Sequence, residues 1–242
     1  MVAEGWNLPH ARAAVRAAAM ACIVAGAFGV VAYLVEGFSP PTAGEQQYNY
    51  PLAPDTYVGV QLVYGFQHLA LAFGLLGLIW GRTVPRSTLG TPSAYAASGS
   101  VALLAVAQFV AIAAAGETRE EYFVELLDES FGFVTAAIGL TIVLTGIAVV
   151  WGRRWPAPWH YLPLVMGLYV FFPLIPALSA PMSAARIVLA GWMSLFVLLG
   201  VALLRFDPTP RPIRVVAGAE LTPGEERRAS PQETPPGLDP RG

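Results

Sequence analysis

Residues 58–80 read VGVQLVYGFQHLALAFGLLGLIW, an apolar run without a carboxylate, a lysine or an arginine. As a helix rising about 1.5 Å per residue it covers roughly 35 Å, more than the ~30 Å of hydrocarbon in a bilayer. Lipid offers no partner to an open backbone, so such a segment must be helical. Within it Gln61, Tyr64, Gly65, His68 and Ala72 fall at i, i+3, i+4, i+7 and i+11, which is one helix face. Polar groups at that depth have to meet protein or water, and His68 falls near the middle of the span. Gln67 lies on another face.

Five further segments match it: residues 17–35, 95–115, 131–151, 161–178 and 187–204. The expected fold is an all-α six-transmembrane-helix bundle over residues 1–206, followed by a disordered tail at 207–242 that is rich in proline and charge. Composition agrees, since only 12% of the 242 residues are charged and 55% are hydrophobic, where a soluble domain carries about a quarter charged. A cleaved signal peptide competes for the first segment, but the apolar run to Val35 is long for a signal and adequate for a span.

Arginine sets the threading. Arg12 and Arg16 precede the first segment, Arg82 and Arg86 follow the second, Arg153 and Arg154 the fourth, and Arg205, Arg211 and Arg214 the sixth. Alternate crossings put all of them on one side, which the positive-inside rule makes cytoplasmic, so both termini are expected inside. The other side collects Glu36, Glu45 and Asp55 in one loop and Glu117, Glu120, Glu121, Glu125, Asp128 and Glu129 in the next, with Arg119 the only basic residue between them. All 14 basic residues are arginine. A Schiff-base lysine is thereby excluded, and the alanine, glycine, proline and arginine bias reads as GC-rich coding in a bacterial or archaeal cytoplasmic membrane.

Several chemistries are excluded or disfavoured. The single cysteine, Cys22, precludes an internal disulfide, a thiolate zinc site and a CxxCH haem attachment, and reads as packing. His68 at the midplane and His160 near the arginine side do not share a depth, so a bis-histidine haem is not expected. No cofactor or metal is anticipated, and the near-neutral net charge of −2 gives no nucleic-acid footprint.

What remains is a set of polar groups opening toward the acidic side. Gln61, Tyr64 and His68 on the second span, Gln108 on the third, Thr135 on the fourth and Arg186 on the sixth form the expected ligand-binding set, rimmed by Glu125, Asp128 and Glu129. Two readings compete for the amides and the threonine: a polar cavity, or interhelical hydrogen-bond glue worth about 0.6–2 kcal/mol per contact. Arg186 stands against the positive-inside bias and requires a counter-charge from Asp128, Glu129, Glu125 or Glu36, most simply as a structural ion pair. Residues 119–130 read as an amphipathic helix at the outer interface, with Tyr122, Phe123, Leu126 and Leu127 apolar.

Pro163, Pro173 and Pro176 are expected to kink or shorten the fifth span. Ala21, Ala25 and Gly29, with Gly77 and Gly81, form small-residue stripes for close helix contact. The echo of Leu78-Ile79-Trp80-Gly81-Arg82 in Val149-Val150-Trp151-Gly152-Arg153 hints at successive hairpins. The leading functional expectation is binding or transport of a small ligand or lipid through the polar pocket. Alternatives are a membrane enzyme acting on a lipid or isoprenoid, and a non-catalytic assembly subunit. Expected partners are the lipid bilayer, a lipid or small molecule, and a membrane-protein neighbour, with no nucleic acid.

Overall fold

The computed structural model describes residues 8–205, so the tail expected at 207–242 lies outside the described residues. Among those described, six helices are long and apolar enough to cross a membrane. They are α1 (Leu8–Phe38), α2 (Pro54–Trp80), α3 (Gly90–Ala111, with a 3-10 turn Ile112–Ala114), α4 (Tyr122–Gly152), a composite fifth span, and α6 (Met182–Arg205). The fifth span joins a 3-10 turn Trp159–Tyr161, helix α5 (Leu162–Tyr169), a π-helical turn Val170–Leu174 and a closing turn Ile175–Ala177. The chain is a polytopic membrane protein: its helices turn Phe66, Phe133, Phe172 and Val24 outward at 65%, 77%, 73% and 61% exposure, an apolar surface suited to lipid.

Successive helices lie side by side, and α1 closes the ring against α6. Gly26 and Gly200 bring those two backbones together, since a Cβ on Gly26 would meet the Met193 carbonyl at 2.9 Å and one on Gly200 the Ala19 carbonyl at 2.5 Å. Cys22 is fully buried in this seam, consistent with a packing role. Of the small-residue positions on α2, Gly77 would press on Ala18 and Leu203 at 2.9 Å.

Residues 119–130 do not make a separate interfacial helix. From Tyr122 onward they are the first turns of α4, which runs unbroken to Gly152. The buried face of this stretch is Val124 and Leu127, packed on Ala111 and Ala114, while Tyr122, Phe123 and Leu126 stay exposed. Leu127 alone of the four expected apolar contacts is buried, because tertiary packing on α3 selects the face.

The fifth span bears out the effect expected of its prolines. Pro163 sits in the first turn of α5, where its missing N–H costs nothing. Pro173 cannot donate to the Tyr169 carbonyl, and the helix responds with a π-helical turn around it. That turn carries Val170 and Leu174, both buried, toward the interior of the bundle.

Candidate functional site

A cavity of about 460 Å³ lies inside the ring at the acidic end and reaches His68. Every span contributes to its wall, from Tyr33 on α1 to Leu174 on the fifth span and Trp192 on α6. Of the residues expected to form the site, Gln61, His68, Gln108, Thr135, Arg186 and Asp128 all line it. Glu125 and Glu129, exposed residues of α4, do not line it. Tyr64 lines instead an adjoining chamber of about 210 Å³, whose walls share Gln61, Gln108, Asp128 and Arg186 with the main cavity.

His68 sits about 20 Å along α2 from Pro54, at 1.5 Å per residue, and is 1% exposed. Its Nδ1 lies 2.7 Å from the Tyr64 carbonyl. A carbonyl only accepts, so Nδ1 carries the proton, and Nε2 of the neutral ring is left as an acceptor. Gln61 lies beside the Tyr57 hydroxyl, while its Oε1 is buried without a partner. Trp192 Nε1 and Arg186 Nε are buried and unpaired as well. Each orphan would cost about 1–3 kcal/mol in a dry interior. Satisfying them inside the bundle takes water or a molecule that fits the cavity.

The glue role belongs to Gln67, the amide on the other face. Its Nε2 donates to the Ala25 carbonyl at 2.9 Å and to the Met193 sulfur at 3.4 Å, tying α2 to α1 and α6.

Arg186 finds its counter-charge in Glu36, the α1 member of the four acids that could supply it. Nη2 donates to Glu36 Oε1 at 2.5 Å, the Tyr64 hydroxyl donates to Oε2 at 2.9 Å, and the guanidinium carbon lies 5.6 Å from the Tyr33 ring centre. Tyr33 and Tyr64 stack at 5.0 Å. The cluster clamps α1, α2 and α6 where the two chambers meet, and leaves Arg186 Nε free toward the cavity. On the lipid side of the same cluster, a groove of about 580 Å³ runs between α1 and α2, lined by Phe28, Val35, Val63 and again by Glu36 and Tyr64. Glu36 and Tyr64 thus form the wall between an apolar groove and a polar chamber.

The acidic end is covered by two loops that the sequence does not connect. Gln47 and Thr118 form an antiparallel bridge, with Tyr48 N–H donating to the Glu117 carbonyl at 3.0 Å and Arg119 N–H to the Gln46 carbonyl at 3.1 Å. Asn49, 1% exposed, joins them through its side chain: Nδ2 donates to the Leu52 carbonyl at 2.5 Å, and Oδ1 accepts from Gly116 N–H at 3.0 Å. Burial first, then the neighbouring Tyr57 and Asp128, pushes the Tyr48 hydroxyl far above its ordinary range, so it remains a neutral donor over the cavity mouth. Asn49→Ala strands the Gly116 N–H and the Leu52 carbonyl, and should destabilise the cover by about 2 kcal/mol. Amide hydrogen exchange in residues 46–52 and 116–119 should then accelerate, while the α2 core stays protected; unchanged exchange in both segments refutes this role for Asn49.

Tyr33, Tyr48, Asn49 and Trp192 were not readable as site residues. Trp192 carried one signal, an indole N–H in mid-span that needs a partner; Asn49 carried none, because its partners lie on a distant loop. His160 lies in the turn Trp159–Tyr161, at the arginine-bearing end and well away from His68. Among the described residues no group of three or more His, Cys, Asp or Glu could hold a metal ion. Compared with protein-family models, curated proteins and solved structures, the chain matches none.

Proposed function

We propose that this membrane protein binds a small ligand or lipid in the cavity between Gln61, His68, Gln108 and Arg186, entering from the acidic side. The observation that carries the reading is the set of orphaned polar atoms on one wall system: Gln61 Oε1 accepts, and Trp192 Nε1 and Arg186 Nε donate. Thr135 and Asp128 supply further polar groups at the mouth, with Glu125 and Glu129 adding negative field outside it. Leu104, Phe131, Leu174 and Leu189 make much of the rest of the wall apolar, which suits a molecule with both characters. The α1–α2 groove beyond Glu36 and Tyr64 suits the chain of a lipid whose head occupies the chamber. Arginine-only basicity and GC-rich composition favour a bacterial or archaeal cytoplasmic membrane as its location.

A second reading has one specific observation behind it: the Asp128 carboxylate lines the same cavity as the His68 acceptor nitrogen. Two titratable groups on one pocket can serve as acid and base on a bound lipid or isoprenoid.

The test is a density map of the protein in native lipid, with mass spectrometry of co-purified small molecules, for the wild type, His68→Ala and Gly132→Phe. Gly132 lines the cavity and a Cβ there meets nothing within 4 Å, so a phenylalanine adds bulk at the cavity wall without a clash at Cβ. Expected is a molecule beside Gln61 and His68 in the wild type, depleted at least about tenfold in both variants, with thermal stability within about 1 kcal/mol of the parent. An empty cavity in native lipid, or an undiminished molecule in Gly132→Phe, overturns the proposal.

A further inference from the structure

At the arginine-bearing end a separate cavity of about 370 Å³ lies where α2 and α4 end and α3 begins. Arg82, Arg86 and Arg154 line it together with Thr91, Trp80 and Tyr95, and no carboxylate is among the described lining residues. The described acids cannot reach it, because Glu36, Asp55, Asp128 and their neighbours all sit at the opposite end of the bundle.

Backbone structure fixes where Arg82 leaves α2, and a side-chain bond ties Arg154 to it. Helix α2 ends with Thr83 N–H on the Leu78 carbonyl at 3.1 Å and Arg82 N–H on the Ile79 carbonyl at 3.0 Å, a stop that places Arg82 in the left-handed region at φ 53°. A glycine would adopt that conformation without strain, whereas arginine costs about 1 kcal/mol there. Arg153 ends α4 in the same region at φ 46°, so the Trp-Gly-Arg echo is a repeated helix stop. Arg154 then reaches back and donates from Nη1 to the Arg82 carbonyl at 2.7 Å, docking the end of α4 on the end of α2. Arg82, Arg86 and Arg154 are exposed at the surface, and with three guanidinium groups and no described carboxylate on its wall the cavity carries a positive potential that favours an anion.

We propose that this cavity binds the phosphate group of an anionic membrane lipid. Guanidinium groups match the planar pairs of oxygens that a phosphate presents, which separates this site from a carboxylate-lined or neutral pocket. Trp80 ends α2 and Tyr95 lies in the second turn of α3, where spans of this kind carry interfacial aromatic residues, and at that depth a lipid phosphate is concentrated whereas free phosphate is not. Thr91, in the first turn of α3, adds a hydroxyl at the positive end of that helix.

The experiment measures binding to the full chain in neutral phosphatidylcholine nanodiscs, titrating phosphatidylglycerol in one arm and inorganic phosphate in the other. Expected is saturable phosphatidylglycerol binding, weakened about fivefold for each cavity arginine neutralised in Arg86→Gln and Arg154→Gln. Arg153→Gln, on the same end but outside the cavity, should leave the affinity within twofold. Arg86→Lys keeps the charge and loses the fork, so it should fall between Arg86→Gln and the parent, and it reports on the site should the glutamine variant fail to fold. Equal losses in Arg153→Gln and Arg86→Gln would show a diffuse positive face and overturn the proposal. So would no preference over phosphatidylcholine, or inorganic phosphate competing at submillimolar concentration.

Discussion

Glu36→Ala is expected to lower the thermal stability of the bundle by about 3–5 kcal/mol, the cost of leaving a buried guanidinium without its carboxylate. Glu36 is 9% exposed and Arg186 22%, so water screens the pair little. The variant also removes the acceptor of the Tyr64 hydroxyl, which loses its only hydrogen bond to α1 shown in the structure. A buried ion pair is weak evidence that the pair itself stabilises. The informative comparison is therefore the double variant Glu36→Leu/Arg186→Leu, which removes both charges and should recover most of the loss. Unfolding followed by heat in lipid nanodiscs reads the two directly. A double variant no more stable than Glu36→Ala would mean that Arg186 acts on its own, through the cavity or the Tyr33 ring, and that Glu36 is not its partner.

That pair shows how far the sequence could be read. Hydropathy and arginine placement were sufficient for six spans and for the two ends of the bundle, because both follow from the cost of polar groups in lipid. The α2 stripe was sufficient to place Gln61 and His68 on a protein-facing side, since a 3.6-residue period is a local property. Arg186 visibly needed an acid, but choosing Glu36 over Asp128 required knowing that α1 and α6 are neighbours, which no local pattern encodes. The same gap hid the cover: Asn49 and Gly116 are 67 residues apart and meet only when α2 and α3 fold as a hairpin. Residues 119–130 were misread for a related reason. Their acidic, amphipathic pattern fits an interfacial helix as well as the exposed first turns of a long span, and only packing on Ala111 and Ala114 distinguishes them.

Gly146→Leu tests the wall that shapes the cavity. A Cβ on Gly146 would collide with the backbone nitrogen and Cα of Leu164, and Gly167 similarly touches the Val143 backbone nitrogen, so α4 and α5 approach at backbone contact. A leucine cannot rotate away from a clash that begins at Cβ, and the helices must part, which should cost about 3 kcal/mol. Parting them moves Val170 and Leu174, carried by the π turn just beyond α5, away from α4, where Val170 packs beside Gly139, and all of Val170, Leu174, Thr135 and Ile138 line the cavity. Ligand binding should therefore fall together with stability. Gly99→Leu is the matched control: nothing lies within 4 Å of a Cβ there, and it should change stability by less than about 0.5 kcal/mol. Heat unfolding of both variants beside the binding measurement separates the two causes. If Gly146→Leu is as stable as Gly99→Leu, the close approach of α4 and α5 does not support the fold, and the cavity wall does not depend on it.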